Sequence, residues 1–191
     1  MSKKTLITLI FNLSIKKIII GIMKMTNIVI IGSGWASSSF LKNLKHDNKN
    51  KVTVISPNNF FSYTPLMIQS LFKDININYP LNQLHPLTHI SDKVKSIDFQ
   101  NQCLYLDTVS ASRISYDYLI LAQGSDLNTF NIPGVSQYCH SVKNIEDTWK
   151  IKDKLNTLSE NSKIVVIGSS LTGSELVGYL IDQGKFKISV V

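Results

Sequence analysis

The stretch from Asn27 to Leu44, NIVIIGSGWASSSFLKNL, limits what this chain can fold into more than any other. Ile28, Val29, Ile30 and Ile31 form an unbroken apolar run, the pattern of a strand buried on both faces of a sheet. Gly32-Ser33-Gly34 then turns the chain, and Trp35 follows directly. Ala36, Phe40, Leu41 and Leu44 recur at helical spacing, which predicts a helix with one apolar stripe. Strand, glycine turn and helix in this order open a dinucleotide-binding βαβ unit. Gly32 permits the tight turn, and Gly34 lets the backbone approach a pyrophosphate. Ser37 stands at the third position, which must be small so that the helix can lie against the strand. A pyrophosphate would rest on the unpaired N–H groups of the helix, where the dipole favours an anion. As written the motif is GxGxxS, and a glycine turn in an unrelated α/β unit stays open as the alternative.

The same design returns 136 residues later, counting from Gly32 to Gly168. Lys163–Ile167 reads as another buried strand, and Gly168-Ser169-Ser170-Leu171-Thr172-Gly173-Ser174-Glu175 follows it. Two such units in one chain weigh far more than either alone. In the second, the middle glycine is replaced by Ser170, whose Cβ would occupy the space through which the backbone closes on a pyrophosphate. Lys187–Val191 then starts one more strand.

Charge points away from nucleic acid. The 191 residues carry a formal charge of +7. Five of those charges, Lys3, Lys4, Lys16, Lys17 and Lys24, precede the first glycine turn and leave +2 for the rest. The basic character thus belongs to a leader, residues 1–24, which contains no acid. Its apolar segments Leu6–Ile15 and Ile18–Met23 are split by Lys16-Lys17, short of the ~20 residues of a spanning helix. Three readings compete for it: a targeting peptide, a membrane-surface segment, or a true start at Met25. Cys103 and Cys139 fit no CxxC pair, so neither a redox disulfide nor zinc is expected. His85 and His89 are interrupted by Pro86 and read as loop or surface histidines, and no metal site is expected.

Between the two turns the chain continues as an α/β protein. Val52–Ile55 is the second strand, and Ser56-Pro57 ends it where an acid often binds a ribose hydroxyl. Lys93–Asp98 and Cys103–Leu106 alternate like a hairpin. Ser115–Leu121 predicts a strand that runs into Ala122-Gln123-Gly124. Asn144 followed by Glu146 and Asp147 is a capped helix start.

GSGWASSSFLKNL followed by VTVISPNNFFSYTPL resembles the N-terminus of a type II NADH dehydrogenase, as does the run YDYLILAQGSDLNTFNIPGV at Tyr116–Val135. Trp35, Ser56-Pro57 and Thr64-Pro65-Leu66 carry the likeness more specifically than the glycines. Departures are Asn58, where the family commonly has arginine, segment 67–90, and Tyr179, where relatives carry an acid.

The resemblance implies a Rossmann-like α/β fold of the two-dinucleotide-binding flavoprotein type with its second domain truncated. Residues 25–140 would be an incomplete FAD-binding domain, and residues 141–191 the start of an NAD(P)H-binding domain. FAD would sit at Gly32, Ser33, Gly34, Trp35 and Ala36, with its ribose at Ser56 and Pro57 and its adenine at the backbone of Val94. Its flavin ring would lie near Thr64, Pro65, Ala122 and Gly124. NADH, as co-substrate, would meet Gly168, Ser170, Gly173 and Glu175. The implied activity is hydride transfer from NADH to flavin and on to a quinone. That step needs no side-chain base or nucleophile, and none is evident. Because the likeness stops within the second unit, no NADH turnover is expected of these 191 residues alone. Peripheral membrane contact and a homodimer are also implied, at a mitochondrial inner-membrane surface or in the cytoplasm. Two alternatives stay open: another FAD/NAD(P) oxidoreductase, apoptosis-inducing-factor-like or ferredoxin-reductase-like, and a non-catalytic flavin-binding remnant.

Overall fold

The computed structural model describes residues 25–108 and 113–191, so the leader 1–24 lies outside the described residues. In chain order the elements are β1 Thr26–Ile31, α1 Trp35–Asn43, β2 Asn50–Ile55 and β3 Phe60–Ser62. A 3-10 turn at Thr64–Leu66 leads into α2 Met67–Phe72, then β4 Asn78–Pro80. After a second 3-10 turn, Leu81–Gln83, come β5 Thr88–Ile90, β6 Val94–Asp98 and β7 Cys103–Leu106. The chain goes on through β8 Arg113–Ser115, β9 Tyr118–Leu121, α3 Val135–Tyr138 and α4 Ile145–Thr157. It closes with β10 Lys163–Val166, α5 Leu171–Asp182 and β11 Lys187–Val190.

Contacts divide these elements into two units. Among the described residues, one contains residues 25–61 together with Pro80–Gln123, and the other contains Ser62–Tyr79 and Gly124–Val191. By packing, residues 62–79 and 124–140 thus go with 141–191, whereas the sequence draws its boundary at 140.

The first unit is built on a parallel sheet in the order β5-β2-β1-β9. β1 pairs in parallel with β2 on one side and with β9 on the other. The apolar run of β1 is explained by this central position. Ile28 and Ile30 point into one cluster, with Leu41 of α1, Val52, Val54 and Leu81. Val29 points to the other face, into a cluster with Ile55, Leu104, Leu106 and Tyr116. That second face is covered by the antiparallel sheet β6-β7-β8. A strand with both faces covered has no use for alternation, and every side chain from Ile28 to Ile31 is apolar.

Three expectations are corrected here. Ala36 is not on the buried stripe of α1; the buried residues are Ser37, Ser38 and Leu41. The single strand expected over Ser115–Leu121 is two, β8 and β9, in different sheets. The break lies at Tyr116-Asp117. Tyr116 turns into the core, and Asp117 exchanges hydrogen bonds with the backbone of Asn27 at 2.8 and 2.9 Å. His85 does lie in a loop, but neither histidine is a free surface side chain. His85 is buried, with Nδ1 2.8 Å from the Pro86 carbonyl oxygen and its ring stacked on that of His46 at 4.5 Å. His89 lies inside strand β5.

In the second unit β10 and β11 pair in parallel, and α2 packs on α4 and α5. Phe72 at the end of α2 stacks on Tyr179 of α5, ring centroids 5.3 Å apart and planes 8° from parallel. Tyr179 is here an aromatic packing residue. β10 is only half covered: Val166 is buried, while Val165 and Ile167 are exposed. Asn144 caps α4 by accepting the Asp147 N–H at 2.8 Å. Among the described residues no helix is long and apolar enough to cross a membrane.

Candidate nucleotide-binding site

In the first unit, the carboxyl ends of the parallel strands gather Gly32 after β1, Ser56 after β2 and Ala122 after β9. β1 lies where the strand order reverses, since the chain passes from it to β2 on one side and reaches β9 on the other. Open α/β sheets bind ligands outside the carboxyl ends at such a switch point.

Gly32 has φ +104°, and its N–H donates to the Ile55 carbonyl at 2.9 Å. A Cβ at Gly32 would collide with the Ala122 carbonyl oxygen, so the first glycine is required by backbone angle and by space together. Gly34 is different. Its φ is −81°, ordinary for any residue, and a Cβ there would meet no atom within 4 Å. Nothing in the folded chain needs a glycine at this position. The open backbone face at the head of α1 is what a pyrophosphate would need, and in this respect the residues present fit a dinucleotide. Trp35, half exposed, stands edge-on to Phe61 with ring centroids 4.9 Å apart. Ala36 is exposed beside it.

Ser56 is buried, and its hydroxyl donates to the Asn58 carbonyl oxygen at 2.6 Å. Pro57 is exposed, and its carbonyl oxygen accepts from the Ser91 hydroxyl at 3.0 Å. Val94 opens β6 opposite Leu106, just before a bulge in that ladder. Next to it, Asp92 accepts hydrogen bonds from the Thr108 hydroxyl and from the Lys93 N–H at 2.7 Å. The Thr108 bond above all holds its carboxyl below the usual carboxylate range.

The second turn repeats the first with two substitutions. Gly168 has φ +99°, and its N–H donates to the Val191 carbonyl at 2.8 Å, as Gly32 does to Ile55. Ser170 stands where Gly34 stands, at the N-cap, exposed and with no capping hydrogen bond from its side chain. Gly173 stands where Ser37 stands, and a Cβ there would collide with the Gly168 carbonyl oxygen.

A cavity of about 260 Å³ in this second unit brings three predicted residues together. Thr64 and Pro65 line it along with Glu175, Leu171 and Thr172. Lys143 lines it too and donates to the Ser125 hydroxyl at 2.9 Å. Sequence reading passes over Lys143 because it stands alone before a helix cap and belongs to no motif. Gly124, with φ +74°, is exposed and has open space around it. A separate cavity of about 300 Å³, lined by Asp74, Trp149 and Lys152 among others, contains none of the predicted residues. Among the described residues no group of His, Cys, Asp or Glu could hold a metal ion.

Comparison with known proteins agrees with this geometry. The family described as pyridine nucleotide-disulphide oxidoreductase matches residues 26–191. The external alternative NAD(P)H-ubiquinone oxidoreductase B2, mitochondrial, of Arabidopsis thaliana is 31% identical over 83% of this chain and 32% of its own length. The external NADH-ubiquinone oxidoreductase 2, mitochondrial, of Saccharomyces cerevisiae is 32% identical over 84% of this chain and 34% of its own. The structure of NDH2 from Plasmodium falciparum in complex with NADH superposes with a TM-score of 0.72 at 25% identity, covering 86% of this chain and 41% of that one. The chain spans about a third of the length of the curated relatives it matches. It belongs to the pyridine nucleotide-disulphide oxidoreductase family and, within that family, matches the N-terminal part of the type II NADH dehydrogenases.

Proposed function

We propose that the chain supplies the FAD-binding turn and the first part of the NADH site of an FAD-dependent NADH:quinone oxidoreductase. The observation that carries this reading is the cavity in which Thr64 and Pro65 meet Glu175. By resemblance the first two belong beside a flavin ring and the third beside a nicotinamide. Thr64 and Glu175 stand 111 positions apart in sequence, and the packing of α2 on α5 brings them to one cleft.

FAD would supply the two-electron acceptor, and this chain's residues hold and orient it. The pyrophosphate would rest on the N–H groups at Gly34, Trp35 and Ala36, the adenosine by the loop Ser56–Pro57 and the backbone of Val94. Ala122 and Gly124 leave the flavin side without bulk. NADH would enter along Gly168, Ser170 and Gly173, with the Ser170 side chain narrowing its approach. The relatives named above are mitochondrial ubiquinone oxidoreductases. We therefore propose a quinone-like acceptor, a mitochondrial setting and, since quinones partition into lipid, peripheral contact with a membrane.

The test is a titration of the purified chain with FAD and with NADH. FAD uptake with the tighter affinity supports the reading, and tighter NADH binding without FAD uptake refutes it. Proximity of the two rings is the protein's main contribution to hydride transfer. The chain covers a third of its relatives, so the 191 residues loaded with FAD are expected to hold flavin without sustained NADH oxidation by a soluble quinone. Turnover on the order of 1–1000 per second would refute that second expectation.

A further inference from the structure

Strand β5 contributes a side chain that no motif predicts. His89 Nε2 lies 2.9 Å from the Ser56 carbonyl oxygen and 3.2 Å from the Ser56 hydroxyl oxygen. The Ser56 hydroxyl has one proton, and that proton goes to the Asn58 carbonyl at 2.6 Å. Nε2 must then be the donor to both Ser56 oxygens, which fixes the N–H on that nitrogen. Two further bonds tie the same loop to the same segment. The Ser56 N–H donates to the Ile90 carbonyl at 3.2 Å, and the Ser91 hydroxyl donates to the Pro57 carbonyl at 3.0 Å.

We infer that His89 is a positioning residue for the adenosine end of the nucleotide site, and that Ser56 serves as its anchor rather than as the ribose ligand. This rests on the FAD reading proposed above. Ser56 is buried, its proton is committed to Asn58, and its oxygen faces His89. The sugar is therefore met by the loop that follows, Pro57–Asn59. That loop carries no charge with which to fix itself. Its shape is held from β5, and a binding loop placed within a fraction of an ångström needs such outside support.

The experiment measures FAD and ADP affinity on the full 191-residue chain and on variants. His89→Leu removes the donor. It should weaken FAD and ADP by the same factor, about tenfold, because both carry the adenosine. His89→Gln offers an amide N–H in its place and should restore most of that loss. Ser56→Ala keeps the carbonyl that receives Nε2 and should cost less than His89→Leu. A ribose ligand at Ser56 predicts the reverse order, with Ser56→Ala harmful and His89→Leu neutral, and that result overturns the inference. Should His89→Leu fail to fold, Ser91→Ala at the exposed end of the same clamp should lose about threefold for both ligands. Unchanged affinity in Ser91→Ala would then overturn it. A parent chain that binds neither FAD nor ADP refutes the FAD reading itself, whereas a parent that binds both beside an unaffected His89→Leu refutes only the role of His89.

Discussion

The Ser37 hydroxyl donates a 2.6 Å hydrogen bond to the carbonyl oxygen of Gly32. This one contact accounts for the irregular third position of the first glycine motif. In the second motif Gly173 fills the same place by having no side chain, since a Cβ there would collide with the Gly168 carbonyl oxygen. The two turns thus join helix to strand by different means. The first leaves room for a Cβ and ties it with a hydroxyl; the second closes the gap entirely.

Removing the tether should show it. Ser37 is fully buried, so Ser37→Ala leaves the Gly32 carbonyl without this partner. The expected cost is about 1 kcal/mol of folding stability. The converse change, Gly173→Ser, puts the same residue where there is no room and should cost about 1–3 kcal/mol through overpacking. Urea unfolding of both variants checks the pair. Equal tolerance of serine in the two turns would contradict the difference described here.

The two glycines of the first turn should fail in different ways. Gly32→Ala forces a side chain onto φ +104° and into the Ala122 carbonyl, and the protein should lose at least about 1–3 kcal/mol or not fold. A Cβ at Gly34 meets nothing in the protein, so Gly34→Val should fold normally, yet its methyls would stand where a pyrophosphate must approach. Flavin content measured on folded Gly34→Val should fall to background. Retained flavin would move the proposed pyrophosphate away from this turn.

Ser170→Gly should strengthen NADH binding. The serine side chain makes no capping hydrogen bond, so its loss costs α5 only a few tenths of a kcal/mol. What changes is the space above the backbone. Isothermal titration with NADH gives the answer, and a level or weaker affinity would mean that the serine is accommodated.

Acid should weaken the first unit partly through Asp92. Its carboxyl is held below the unfolded value, chiefly by the Thr108 hydroxyl, so the folded state binds its proton less readily than the unfolded chain. Stability from this group is therefore present above the unfolded value of about 4 and is lost as pH falls through the lower folded value. Between pH 7 and pH 3, Asp92→Asn should lose less stability than the parent chain. The urea midpoint measured across that range tests it, and identical slopes would remove Asp92 from the account. Asp147 has the same direction. Burial opposes its charge, but hydrogen bonds from Lys150 and Ser141 outweigh burial and hold it low.

What the sequence determined is local. Gly32 and Gly168 were legible because a tight turn at positive φ excludes a Cβ, whatever surrounds it. The apolar run Ile28–Ile31 was legible because a strand covered on both faces leaves no polar position. The Asn144 cap was legible because its partner, Asp147, is three residues away. Each of these is decided within one or two turns of chain.

Only the tertiary structure decided what depends on distant partners. His85 and His89 read as loop or surface residues from their neighbours in sequence, since nothing local shows that β5 will lie beside β2. Once it does, His89 reaches Ser56 across 33 positions, and the hydroxyl that looked free for a ribose is turned inward. Lys143 joins Thr64 and Glu175 in one cavity for the same reason. Side-chain period and turn chemistry fix the direction of a strand or helix. Which strand becomes its neighbour is set by the burial of whole faces, and that burial exists only when the chain is assembled.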